Sequence, residues 1–266
     1  MKTIKKTIKI GNIEASVTAD EIYSNHLANE FEPDTVKLLS SLAKNSGKSA
    51  MDVGANIGMT SIILSKLCEN IYSFEPTKIA FDLLNTNLRE NNIKNVISYN
   101  FGLGENESKS TITYAPGNSS GAFVSDKTTV VKGHVTEDIL IKRGDDLNIA
   151  ANFIKIDVEG YELQTFRGLK NTINQNKPIV MFEVNHWCLN GLQRLSLPEF
   201  LDEVSSIFEK LYAVEKDTYL DVKDADERYA IMYNNIINNK YLNFVGSFSN
   251  SDLSEFYKLF KHTEDE

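Results

Sequence analysis

Cysteine is scarce in this sequence. There are two in 266 residues, Cys68 and Cys188, far apart and in no metal-ligand spacing, so both read as free thiols of a reducing compartment. With 5 prolines and 14 glycines, the chain also lacks the composition of a collagen-like or low-complexity protein. Long apolar runs are missing as well. No stretch approaches the roughly 18–20 apolar residues of a membrane span. The lysine-rich start (MKTIKKTIKI) is not followed by the apolar run of a signal peptide, so a cytoplasmic location is expected. Positive charge is in short supply: 28 basic residues face 37 acidic ones, a formal charge of −9. Nucleic-acid binding draws on a basic face that displaces phosphate counterions, and nucleic acid is therefore not an expected partner.

What is present is a chain that is 41% hydrophobic, with the apolar residues spread throughout and ample for a buried core. Residues 4–18 alternate apolar and polar around Gly11-Asn12, the pattern of a hairpin, and a helix follows Pro33. These make an N-terminal unit of residues 1–48, expected to pack on a single domain of residues 49–266. From Ser49 onward short apolar strands alternate with amphipathic helices: strand Ser49 to Val53, helix Met59 to Leu67, strand Ile71 to Phe74, helix Lys78 to Asn91, strand Val96 to Phe101. That order predicts parallel pairing. Residues 102–148 break the rhythm with short β-like runs, Ser110 to Tyr114 and Thr128 to Val131, and read as a β-rich insertion. The alternation resumes with strand Phe153 to Asp157, helix Glu162 to Asn174 and strand Pro178 to Val184. Beyond it come a helix near Pro198 to Lys210, strands at Leu211 to Glu215 and Tyr229 to Tyr233, and a last helix after Ser251.

In a doubly wound sheet, ligands bind at the carboxyl ends of the strands. Four such ends carry polar groups here: Asp52 to Gly58 (DVGANIG), Glu75 after YSF, Asp157 with Glu159 and Gly160 (KIDVEG), and Glu183 after IVMF. DVGANIG is a glycine turn into a helix whose N-terminus offers N–H groups. It is not the dinucleotide fingerprint, because the positions that need glycine hold Gly54, Asn56 and Met59. An acid closing the next strand, Glu75, is placed to hold a ribose diol. The pair suits any nucleoside-bearing cofactor. An NAD(P)-dependent oxidoreductase and a catalytically silent binding module therefore stand beside other readings at this point.

Taken together, FEPDTVKLL, MDVGANIGMTSI, YSFEP, LLNTNLRENNIKNV, FIKIDVEGYEL, Gly168 in the following helix and PIVMFEV resemble the FkbM-type family of S-adenosylmethionine-dependent methyltransferases, over roughly residues 30–190. The resemblance implies an α/β fold, a Rossmann-like class I sheet of seven mostly parallel strands with the last antiparallel. It implies S-adenosylmethionine as cofactor, S-adenosylhomocysteine as product, and O-methylation of a small-molecule acceptor such as a sugar or polyketide-type hydroxyl. Carried over, Asp52, Gly54, Asn56 and Gly58 surround the methionine moiety, Glu75 holds the ribose, and Asn100 to Gly102 lie near adenine.

A sugar hydroxyl is a weak nucleophile and gains from a general base. Asp157 is the first candidate, with Glu183 and His186 on or just past the neighbouring strand. The same three residues are a conceivable mixed carboxylate and imidazole metal set, though no ligand-spacing motif supports a metal. Plainer roles exist for each: Glu159 as a helix cap, Glu183 as an ion-pair partner of Lys155, His186 as a packed loop residue. Trp187, Tyr161 and Tyr114 are candidate sugar-stacking platforms, and the loop Gly117 to Gly121 a candidate lid. Acceptor identity and oligomeric state are not readable from these residues.

Overall fold

Alternation at the start of the chain produces the expected hairpin, β1 (Thr3–Ile10) and β2 (Ile13–Asp20), which buries Ile8, Ile10, Ala15 and Val17 on one face. The computed structural model describes residues 2–46, 48–116, 118–127 and 132–263. Asp20 then caps a short helix, α1 (Glu21–His26), its carboxylate accepting from the Tyr23 N–H. Pro33 opens α2 (Pro33–Ser46), where a missing N–H costs nothing.

The expected alternation follows: β3 (Ser49–Val53), α3 (Met59–Leu67), β4 (Asn70–Phe74), α4 (Lys78–Glu90) and β5 (Val96–Tyr99). Four strands of the insertion come next, β6 (Gly102–Gly104), β7 (Ser108–Ala115), β8 (Asn118–Val124) and β9 (Val135–Arg143). They form a separate sheet in the order β6-β9-β7-β8, with its own apolar face of Ile112, Val124, Ile139 and Ile141. The run Thr128 to Val131 lies outside the described residues.

The chain then returns through β10 (Phe153–Ile156), α5 (Glu162–Gly168), α6 (Lys170–Asn176), β11 (Ile179–Glu183), α7 (Leu197–Ser205), β12 (Lys210–Glu215), β13 (Thr218–Asp221), α8 (Ala225–Asn238), β14 (Asn243–Ser247), α9 (Ser254–Leu259) and β15 (Lys261–His262). The helix expected from Glu162 to Asn174 is two helices broken at Leu169.

The main sheet runs β5-β4-β3-β10-β11-β14-β12-β13-β15. Its first five strands are parallel, and β14 is antiparallel to both neighbours. The seven strands from β5 to β12 thus carry the expected order, with the last of them in sequence reversed. Two more, β13 and β15, extend the edge to nine. Tyr229 to Tyr233, expected as a strand, belongs to α8: Asp224 accepts from the Asp226 and Glu227 N–H groups and starts a helix through the run. The antiparallel strand is β14 instead.

Alternate residues of the parallel strands point to opposite faces. Ala50 and Phe153 join the hairpin, α2, α3 and α4 in one core, while Met51, Val53, Ile154 and Ile156 join α5 and α7 in the other. Sequence order reverses between β3 and β10, so the loops leaving these two strands diverge and open a crevice. Among the described residues no helix is long and apolar enough to cross a membrane.

Candidate active site

A cavity of about 420 Å³ occupies that crevice. Its floor is the turn after β3. Gly54 sits at φ +81° with its Cα so close to the Asp157 carbonyl that a Cβ would fall 1.7 Å from the oxygen. Gly58, at φ +93°, begins α3 against Leu84, where a Cβ would lie 2.5 Å from a side-chain methyl. Several of the turn's N–H groups are engaged within the protein. Gly54 and Ala55 donate to the Phe74 carbonyl, Asn56 to Glu75 Oε2 and Gly58 to the Ala55 carbonyl.

Asp52 lies beneath this floor, fully buried. Its Oδ2 accepts from the Thr60 and Ser61 hydroxyls at 2.7 and 2.6 Å, and it faces Lys155 Nζ at 3.7 Å. It ties the turn to α3, and neither it nor Gly58 is among the residues lining the cavity. Glu75 does line it. Its Oε1 accepts from the Thr77 N–H and hydroxyl, and its Oε2 from the Asn56 N–H, which leaves one lone-pair direction on Oε2. Burial raises its pKa against those hydrogen bonds. Asn100 donates to the Glu75 and Pro76 carbonyls, so it braces the acid's loop from outside while Gly102 reaches the cavity wall.

Lys155 is the basic side chain of the wall, on the buried strand β10. It contacts Asp157 at 3.1 Å, Asp52 at 3.7 Å and the Gly54 carbonyl at 3.2 Å. Its pKa lies above the ordinary lysine range, because Asp157 and Asp52 outweigh the burial that would lower it. Glu183 also lines the cavity, but its expected ion pair with Lys155 is not formed. Among the described residues no hydrogen bond or salt bridge reaches its carboxylate. Burial, then Asp157, Glu159 and Glu162, push its pKa well above the usual value.

Glu159 is not a helix cap. It sits at φ +50°, lines the cavity and accepts from the Cys188 thiol at 3.3 Å, with burial holding its pKa up at about 7. Glu162, the first residue of α5, instead braces the loop before the helix, accepting from the Gly160 and Val158 N–H groups at 3.1 and 3.3 Å. Burial raises that carboxyl to about 8.

His186 does not join these groups. Its backbone N–H donates to Asn235 Oδ1, its Nδ1 is buried without a partner, and it lies off the cavity wall, so the mixed carboxylate and imidazole set is not assembled. Trp187 is 67% exposed, and Tyr114 is buried away from the cavity; of the three aromatic candidates, Tyr161 lines it. Gly117 lies outside the described residues. The segment from Asn118 belongs to β8, which together with β7 and β9 turns Ile112, Val124, Ile139 and Ile141 onto the wall.

Sequence reasoning missed Tyr23, Phe31 and Thr35 and assigned no role to Glu32, yet all four close the cavity from the N-terminal side. The signal that pointed there was FEPDTVKLL, the first segment of the family resemblance, which contains three of them.

The strand order, the reversed seventh strand and an acid-lined cavity at the switch point define a Rossmann-like protein of the methyltransferase class. A family model described as the methyltransferase FkbM domain matches residues 52–211, more than half of the chain, and the chain belongs to that family. The family is one of methyltransferase domains, and it implies a methyl donor of the S-adenosylmethionine type.

The hexuronic acid methyltransferase AglP of Haloferax volcanii is 29% identical over 155 residues, 58% of this chain and 62% of that relative. Methyltransferase 1 of Beauveria bassiana is 29% identical over 143 residues, 45% of this chain and 57% of the other. The matches thus span less than two thirds of either curated relative. Among solved structures, a methyltransferase FkbM from Methylobacillus flagellatus is similar at TM-score 0.44 and 22% identity, over 61% of this chain and 38% of that one. A Streptococcus mutans protein in complex with SAH is similar at 0.46 and 12%, over 79% and 95%.

Proposed function

We propose that the chain transfers a methyl group from S-adenosylmethionine to a hydroxyl of a carbohydrate or other small natural product. The observation that carries this reading is the Asp157 carboxylate, fixed by Lys155 at the carboxyl end of β10 and lining the same cavity as the Gly54 turn and Glu75. The donor fits the residues present. Glu75 keeps one acceptor direction for a ribose hydroxyl. The buried Asn56 Oδ1, on a cavity-lining residue, has no partner of its own and suits an ammonium or hydroxyl. When bound, S-adenosylmethionine supplies a methyl group whose C–S bond breaks as a C–O bond forms. Asp157 orients the acceptor hydroxyl and receives its proton, Lys155 keeps that carboxylate in place, and the apolar face of the small sheet keeps water from the crevice. The curated relative named for hexuronic acid supports a sugar-like acceptor.

The test is calorimetric titration of the purified chain with S-adenosylhomocysteine, with NAD in parallel. Binding of the former is expected, weakened by about 1–3 kcal/mol in Glu75→Ala, the cost of losing a buried hydrogen-bonding group. A melting curve verifies that the variant is folded. Clear NAD binding with none of S-adenosylhomocysteine overturns the proposal.

A further inference from the structure

The cavity holds more negative charge than methyl transfer to a neutral sugar requires. Glu32, Asp157, Glu159 and Glu183 share its wall with Lys155. Lys155 is already divided between Asp52 and Asp157. Glu183 is half-buried on the cavity wall and, among the described residues, has no hydrogen-bond or ion-pair partner. Glu159 has the Cys188 thiol, a weak donor. The four groups face one cavity of about 420 Å³, and the charge of Asp157 acts to raise the pKa of Glu32, of Glu159 and of Glu183.

Enclosing unpaired carboxylates is costly unless a cation or a proton answers them. S-adenosylmethionine brings one net positive charge. Five carboxylates line the wall. Glu75 is answered by its hydrogen bonds from Thr77 and Asn56, one more is answered by Lys155 and a third by the cofactor, which leaves two to be answered by something else.

We propose that the acceptor carries a protonated amine, held by Glu183 and Glu159, as in an amino sugar or a small polyol amine, while its hydroxyl is methylated beside Asp157. This rests on the methyltransferase reading above. An ammonium has no lone pair, so the methyl group passes to oxygen: the C–S bond breaks, the C–O bond forms, the cofactor leaves as a neutral thioether and the hydroxyl proton goes to Asp157. A uronate or a phosphate ester meets like charge on this wall and is disfavoured, which separates this chain from a relative named for hexuronic acid. Titration follows from the same arrangement. Burial, with the wall's Tyr23, Glu32, Glu75, Asp157 and Lys155 around them and Glu162 and Cys188 behind, holds the pKa values of Glu159 and Glu183 up, and an arriving ammonium favours their carboxylate forms and so releases protons.

The experiment uses the full chain saturated with S-adenosylhomocysteine and three probes that differ in charge: D-glucosamine, D-glucose and D-glucuronate. Calorimetry is expected to rank glucosamine about tenfold tighter than glucose, roughly 1.4 kcal/mol, with glucuronate weakest. Runs in buffers of different ionisation enthalpy are expected to reveal net proton release with glucosamine alone. In the Glu159→Gln/Glu183→Gln variant the preference disappears while S-adenosylhomocysteine still binds. Should that variant fail to fold, the ranking by the wild-type chain decides. Glucuronate binding as well as glucosamine, or no difference among the three, including no binding by any, overturns the proposal and leaves the methyltransferase reading standing. Absence of S-adenosylhomocysteine binding removes both.

Discussion

Two residues with similar sequence surroundings, Asp157 and Glu162, do different work because of what reaches them. Asp157 has a lysine at 3.1 Å, whereas Glu162 is enclosed with two backbone N–H donors and, among the described residues, no salt-bridge partner. Asp157→Asn removes the proposed proton acceptor but keeps the shape, so turnover is expected to fall by about 10²–10⁴-fold with S-adenosylhomocysteine affinity preserved. Single-turnover kinetics beside calorimetry checks this. Glu162 carries a stability signature instead. Its folded pKa, about 8, stands above the ordinary 4.5, so its contribution is complete below the ordinary value and is lost as pH rises toward 8. Glu159, at about 7, acts in the same direction. The urea midpoint of the unliganded chain is expected to fall between pH 5 and pH 8, and Glu162→Gln, which keeps an acceptor oxygen, to flatten that fall.

At the scale of elements, the joint between the N-terminal hairpin and the main domain is a set of side-chain amides on α4. Asn87, fully buried, accepts from the Thr18 N–H at 2.7 Å and donates to the Thr18 and Ile57 carbonyls. Asn91 does the same for Ser16. Asn87→Ala leaves buried backbone groups unanswered on both sides and is expected to lower stability by about 1–3 kcal/mol for each group that finds no water. Denaturant unfolding measures this.

Such joints are invisible in the sequence, where Asn87 reads as one more polar helical residue. The strands and helices of residues 49–101 were legible because each is bounded by a period change and by glycine or an acid. The tail was less so. Tyr229 to Tyr233 is a short apolar run compatible with either period, and the cue that decides it is the acid pair Asp224 and Glu227, three residues apart at the helix start. The strand β14 is five residues with Gly246 as the fourth, where a Cβ would lie 2.6 Å from the Phe208 ring. A strand whose glycine is required by a ring packed against it leaves little apolar pattern to read.

For the whole molecule, the legible part of the candidate site is the part made by strand ends. Gly54, Asn56, Glu75, Asp157, Glu159 and Glu183 all reach one cavity. The part that was not legible comes from segments distant in sequence that tertiary packing brings over the sheet: Tyr23 to Thr35 on one side and β7 to β9 on the other. His186 failed for the complementary reason. Proximity in sequence to Glu183 suggested a shared site, and the chain turns away after β11.

That division of the cavity wall has a consequence for how the chain can diversify. The strand-end floor and the N-terminal closure are encoded in separate stretches, joined mainly through α4 and the core beneath the hairpin. Substitutions between Tyr23 and Thr35 can therefore remodel what is admitted to the cavity while the turn at Gly54 and the acid at Glu75 stay as they are. A lineage built this way can change what enters the cavity one surface segment at a time, without rebuilding the strand-end floor.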